Sequence, residues 1–112
     1  MFPSHGKRRY NQSMIKVIMT WNIQEGKQQE YIEFAVSEFG PTLGALGMRI
    51  SEVWYTVAGS DPEMVVLGVM PNRRAAEKLF AGYDWKQLEK RLMTFVEDIT
   101  IKFAPPRAPF QL

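Results

Sequence analysis

The side chains able to do chemistry are few, and they gather in two stretches of the chain. Asn22 stands at the end of the apolar run MIKVIMTWNI, residues Met14–Ile23. Its amide offers both a donor and an acceptor, which suits it to orienting a polar group of a ligand. An Asn at a strand end also serves as a turn or cap residue. The second stretch is SEVWYT, where Glu52, Trp54, Tyr55 and Thr56 follow one another. Strand neighbours point to opposite sides, so only one of Trp54 and Tyr55 can share a chamber with Asn22. Trp54 would supply an aromatic wall, and also suits core or interface packing. Glu52 reads either as an edge-strand charge facing water or as a buried acid with a raised pKa. With Ile18, Thr20 and Thr56 on the corresponding alternate positions, a candidate ligand-binding set emerges: Ile18, Thr20, Asn22, Glu52, Trp54 and Thr56.

Other chemistries lack their residues. His5 is the only histidine and cysteine is absent, whereas metal centres use several N, S or O ligands. Asp84, Glu97 and Asp98 do not have metal-loop spacing, and no metal or cofactor is expected. The chain carries no Ser/His/Asp set, no thiol nucleophile and no glycine-rich phosphate loop. Arg73-Arg74 at a helix start reads as a solvated pair, with anion capture the weaker alternative. Trp21 and Trp85 fall in apolar stripes and read as core.

The elements that must position these residues follow from periodicity. In Met14–Ile23, Ile15, Val17, Met19, Trp21 and Ile23 share one face; Lys16, Ile18, Thr20 and Asn22 share the other. Lys27–Phe39 has helical spacing, with Tyr31, Phe34, Ala35 and Glu38 on one stripe and Ile32, Val36 and Phe39 on the next. Gly40-Pro41 is expected to stop that helix, leaving Thr42–Leu46 a short turn. Arg49–Ala58 is the second strand, with Ile50, Glu52, Trp54, Thr56 and Ala58 on one face. Gly59–Pro62 is a turn, and the apolar Met64–Met70 completes a hairpin. Asn72 caps a helix over Arg73–Phe80. Asp84 caps a further one over Trp85–Glu97, with Gln87 completing a capping box. Asp98–Ala104 is the last strand, and Pro105-Pro106 ends it.

The order strand, helix, strand, strand, helix, strand specifies an α+β, ferredoxin-like βαββαβ unit: a four-stranded antiparallel sheet with helices on one face. Strands one and three, the most apolar, are expected at the centre. Residues 14–104 form this domain, residues 1–13 a flexible leader and residues 105–112 an extended tail. A 112-residue chain with 46% apolar and 23% charged residues suits a single core. The sequence pI of about 9.0 comes from the leader. Lys7, Arg8 and Arg9 lie there without any acid, and the remainder has eleven basic against twelve acidic side chains. A nucleic-acid partner is therefore not expected. No segment reaches the roughly 20 apolar residues needed to span a bilayer. The leader lacks the apolar stretch of a secretory signal, Met14 offers an alternative start, and the absence of Cys is compatible with a cytoplasmic location.

The segments IKVIMTWNI, EVWYTVAGSDPEMVVLGVM and NRRAAEKLFAGYDWKQLEKRLMTFVEDITIKF carry a resemblance to the dimeric α/β barrel superfamily, of the antibiotic-biosynthesis-monooxygenase-like and stress-responsive type. The resemblance spans about residues 14–104. It implies a homodimer in which uncovered sheet faces meet. Haem-degrading members use an Asn at the end of the first strand, a Trp and a haem-ligating His on the second helix. Asn22 matches the first, Trp54 lies on a strand instead, and no His occurs on that helix, so haem degradation does not carry over. Cofactor-independent monooxygenases place Asn, Trp and Tyr beside an aromatic substrate. Three readings stay open: a homodimeric barrel binding a small apolar or aromatic metabolite, a cofactor-independent monooxygenase or isomerase, and an interaction protein whose barrel is filled by side chains.

Overall fold

A β-strand that must bury one face beneath helices needs large apolar residues at every second position, and β1, Ile15–Ile23, meets that demand. In a computed structural model that describes residues 14–56 and 63–105, Val17, Met19 and Trp21 of this strand are fully buried. The leader, the expected Gly59–Pro62 turn and most of the tail lie outside the described residues. After β1 come α1 (Gln28–Phe34), a π-helical turn (Ala35–Phe39), α2 (Gly40–Ala45), β2 (Arg49–Tyr55) and β3 (Met64–Met70). The chain then forms α3 (Arg73–Ala81), α4 (Tyr83–Leu92) and β4 (Val96–Ala104). The sheet is antiparallel throughout, in the order β2-β3-β1-β4. The two most apolar strands are central, as their composition requires, because only central strands are flanked on both edges and covered most completely.

The core joins the odd-numbered side of β1 to Met64, Val66 and Met70 of β3 and to the helices through Phe34, Phe39, Leu79, Trp85, Leu88 and Leu92. Aromatic rings meet edge to face along its middle. Trp21 and Phe39 have centroids 5.5 Å apart at 87°, and Phe80 and Trp85 are 4.9 Å apart at 83°. These are the arrangements favoured by ring quadrupoles. Gly68 sits where Met48 crosses β3; a Cβ there would meet Met48 Sδ at 2.5 Å, so a hydrogen is what lets the methionine pass.

Several local expectations change. The helix does not stop at Gly40-Pro41. The Gly40 N–H reaches back to the Ala35 carbonyl, an i→i−5 bond, and Pro41 falls in the first turn of α2. Proline lacks an N–H and crowds the preceding turn; a wider π turn followed by a fresh helical start accommodates both properties. Gly82, rather than Asp84, occupies the N-cap position of α4, and Asp84 lies in its first turn. Asn72 does cap α3, its Oδ1 accepting from the Ala75 N–H at 2.8 Å. The end of the second helical region is also shorter than its periodicity suggests. α4 ends at Leu92, and Val96 and Glu97 belong to β4. Val96 fits a buried strand as well as a helix stripe, and pairing with Ile23 decides for the strand.

Candidate functional site

Each face of the sheet offers a different surface. On the side away from the helices, the register arranges side chains in cross-strand rows. Trp54 lies beside Val65, Val65 beside Thr20, and Thr20 beside Thr100. The adjacent row runs Glu52, Leu67, Ile18 and Lys102. Asn22 pairs with Glu97. Thr56 continues the Glu52–Trp54 alternation, its N–H bonded to the Glu63 carbonyl at 2.7 Å. The six side chains singled out from sequence, Ile18, Thr20, Asn22, Glu52, Trp54 and Thr56, therefore belong to one face. Tyr55 is turned to the other, as alternation demands.

Several polar side chains of this face are already hydrogen-bonded. Thr20 Oγ1 hydrogen-bonds Thr100 Oγ1. Asn22 donates from Nδ2 to Asp98 Oδ2 at 3.2 Å and accepts at Oδ1 from the Glu63 N–H at 2.8 Å. Glu63 Oε1 in turn accepts from the Ile23 N–H at 2.7 Å. Asn22 thus ties the end of β1 to both neighbouring strands. Its acid partner Asp98 sits at a bulge with φ of 59°, in the left-handed region that Asp tolerates better than most residues. Trp54 is 43% exposed and Glu52 is exposed.

The concave site is on the helix side. A second bulge, between Ile50 and Glu52, is the reason. One extra residue in β2 shifts the alternation, so Ile50 pairs with Gly68 and joins Val53 on the helix-facing side. Strict alternation over Arg49–Ala58 places Ile50 with Glu52 and Trp54; the bulge overturns that assignment. Ser51, the inserted residue, donates from its hydroxyl to the Leu67 carbonyl at 3.2 Å. Ile50, Val53, Met64 and Val66 then form the floor of a cleft of about 280 Å³. Its walls are Tyr31 and Ile32 of α1, Ala35, Val36 and Phe39 of the π turn, and Gly40.

The cleft exists because helical cover runs out before the sheet does. Tyr31, Phe34 and Phe39 are buried on the core, while Ile32 and Val36 are 56% and 73% exposed above the edge strand. A wide apolar stripe over Lys27–Phe39 was legible as such; that its second half overhangs β2 was not. Among the described residues lining the cleft, Tyr31 is the one with a polar side-chain atom. Tyr31 Oη accepts from Trp21 Nε1 at 3.1 Å. Burial pushes its phenol pKa upward, and the indole hydrogen bond offsets this in part. The neutral, proton-bearing form is thereby favoured.

Two other hollows are less suited to a small apolar molecule. One of about 430 Å³ lies where α2 approaches the α3–α4 junction, with Lys78 and Asp84 among its lining residues. The other, by Glu97 and Asp98, has acidic walls. Arg73 pairs with Glu77 at 3.1 Å and lies over the Phe103 ring. Arg91 pairs with Glu38, joining α4 to the π turn. Among the described residues no group of His, Cys, Asp and Glu could hold a metal ion, and no helix is long and apolar enough to cross a membrane.

No protein-family sequence profile matches the chain, and no curated protein matches it. Solved structures do. A NIPSNAP family protein from Agrobacterium tumefaciens is similar over 88% of this chain and 90% of its own, with 20% identity and a TM-score of 0.64. A candidate antibiotic biosynthesis monooxygenase from Caulobacter crescentus is similar over 90% and 96%, with 16% identity and a TM-score of 0.64. A Mycobacterium tuberculosis protein is similar over 88% and 100%, with 13% identity and a TM-score of 0.65. The chain therefore has the α+β ferredoxin-like fold of NIPSNAP and antibiotic-biosynthesis-monooxygenase-like proteins, the fold class its strand and helix order implies.

Proposed function

We propose that this protein is a cytoplasmic homodimer that binds a small apolar or aromatic metabolite in the cleft between the π turn and β2. The cleft carries the reading. It is concave, nearly wholly apolar, and of a volume suited to a molecule of one or two rings. Its exposed rim residues Ile32, Val36 and Val53 form an apolar patch beside the sheet edge, and such patches mark binding surfaces. A π turn at the wall adds support, since such turns recur at functional sites. Binding, rather than turnover, is proposed because no carboxylate, imidazole or amine lines the cleft among the described residues.

The dimer would bury the sheet face that the helices leave uncovered. Ile18, Trp54, Val65 and Val69 contribute apolar surface to it, and removing such area from water is worth roughly 25 cal/mol per Å². In this arrangement Asn22, Glu52 and Thr56 belong to the interface and its margins, and the ligand site moves to the helix side.

Tetralin, a two-ring hydrocarbon, is a suitable first probe. Followed by methyl resonances, its titration is expected to perturb Ile32, Val36, Ile50 and Val53 and to spare Ile18 and Val65. Val36→Asp should abolish the response while leaving the melting temperature nearly unchanged, since Val36 is exposed. Perturbation centred on Ile18 and Val65 would instead locate the binding surface on the open sheet face and overturn the reading.

A further inference from the structure

The hydroxyl of Tyr31 has an unfinished hydrogen-bond inventory. A phenol can donate once and accept as well. The Trp21 indole N–H can only donate, so the bond between them at 3.1 Å uses Tyr31 Oη as acceptor. The phenol proton then has no acceptor among the described residues. Tyr31 is 4% exposed. The oxygen keeps its partner in Trp21, so what the group lacks is an acceptor for its proton, and buried hydroxyls usually find one.

Its location supplies the reason. Tyr31 contributes to the wall of the apolar cleft, where every other lining side chain ends in carbon, sulfur or hydrogen. Resting on the proposed use of that cleft, we infer that Tyr31 is its polar anchor: its hydroxyl donates to an acceptor oxygen on an otherwise apolar, flat ligand. The ligand class is thereby narrowed to ring compounds bearing a carbonyl, quinone or ether oxygen. Hydrocarbons without an acceptor would enter but not be oriented. Anionic compounds would be disfavoured, because no cationic side chain lines the cleft to pair with them.

Three features suit Tyr31 to this task. The Trp21 bond and the edge-to-face contact with the Trp21 ring, 6.4 Å between centroids at 70°, fix the phenol in place. An indole donating to the phenol oxygen polarises the O–H and makes it a better donor. Burial pushes the phenol pKa further above its ordinary value of 10.0, so the group stays a donor into alkaline solution. One donor in an otherwise apolar site also sets orientation, since only a ligand carrying an acceptor can meet it.

The test uses the full chain, with α-tetralone as acceptor-bearing probe and tetralin as its hydrocarbon analogue. Tyr31→Phe keeps the ring and removes the hydroxyl. Tetralone affinity is expected to fall roughly 2- to 12-fold, the loss that follows from deleting one neutral hydrogen bond. Tetralin affinity should be unchanged, which also shows that the variant cleft remains folded. In the wild type, the infrared carbonyl stretch of bound tetralone should lie below its position in cyclohexane. Equal affinity of wild type and Tyr31→Phe for tetralone, or an unshifted stretch, would overturn the role of Tyr31 while leaving the cleft as a binding site. Failure of the wild type to bind either compound would overturn both the cleft reading and the inference built on it.

Discussion

The two faces of β1 are built from the same nine residues, yet they meet different surroundings. Ile15, Val17, Met19, Trp21 and Ile23 lie beneath the helices and are all buried. Lys16, Ile18, Thr20 and Asn22 alternate with them and are all half-buried. On the first face the chain supplies its own cover; on the second it supplies none among the described residues. The contrast teaches where each kind of recognition belongs. A mixed, half-buried surface suits a second protein surface. A concave apolar site forms only where helix and sheet both contribute walls, and that occurs at the margin where the helices stop short of β2.

The sharpest way to break this comparison is to remove the same residue type from each face. Trp21→Ala should cost about 3–5 kcal/mol in urea unfolding, because it opens a cavity among Tyr31 and Phe39. Trp54→Ala, at a position 43% exposed, should cost about 1 kcal/mol or less when measured at concentrations that keep protomers apart. Equal losses would mean that the two faces are energetically alike.

The second test concerns association. Ile18→Lys adds a charge to the row holding Lys102 and Glu52. It should shift sedimentation toward the monomer by at least about tenfold in dissociation constant, with folding nearly unaltered, since leaving a charge unpaired at an interface is costly. A wild type that sediments as a monomer at micromolar concentration would remove the sheet face as an interface.

A smaller effect is expected at Asn22. Asn22→Ala removes the acceptor for the Glu63 N–H and the donor to Asp98. A loss of roughly 1–2 kcal/mol in stability, with tetralin binding unchanged, would assign Asn22 to strand anchoring. Altered tetralin affinity would return it to the ligand site.

The smallest effect is a pH dependence. The folded-state pKa of Tyr31 is raised above 10.0. Between the unfolded and folded pKa values the native state holds a proton that the unfolded chain has released. The contribution is therefore complete below pH of about 10 and is lost as pH rises through the folded pKa. Wild type should lose stability more steeply than Tyr31→Phe above that pH. Parallel curves would show that Tyr31 is not held in its neutral form by burial.

Much of this was legible beforehand. The βαββαβ order, the two faces of β1, the central position of β1 and β3, and Trp21 and Trp85 as core all follow from two-residue and helical periods. Those signals are local and repeat along the chain, so they survive without knowledge of the partners. Alternation groups Ile18, Thr20 and Asn22 within β1 and Glu52, Trp54 and Thr56 within the second strand; that the two groups share a side of the sheet needed the register. The cleft was not legible. It depends on the bulge at Ser51 that turns Ile50 toward Val53, on the π turn that carries the chain past Pro41, and on Ile32 and Val36 overhanging an edge. The first two are places where one residue is inserted into a regular repeat, which composition does not reveal; the third depends on how far a helix extends over its sheet.

The amino-acid sequence by itself determined the order of strands and helices, the two faces of β1, and that no cysteine thiol is available. Only the tertiary structure decided where those elements leave a hollow. A strand's preference depends on neighbours within a few residues, whereas a cavity is the difference between the extents of surfaces far apart in sequence. Tyr31 and Val53 line one site only in the folded chain, and no local pattern encodes how far a helix reaches across its sheet.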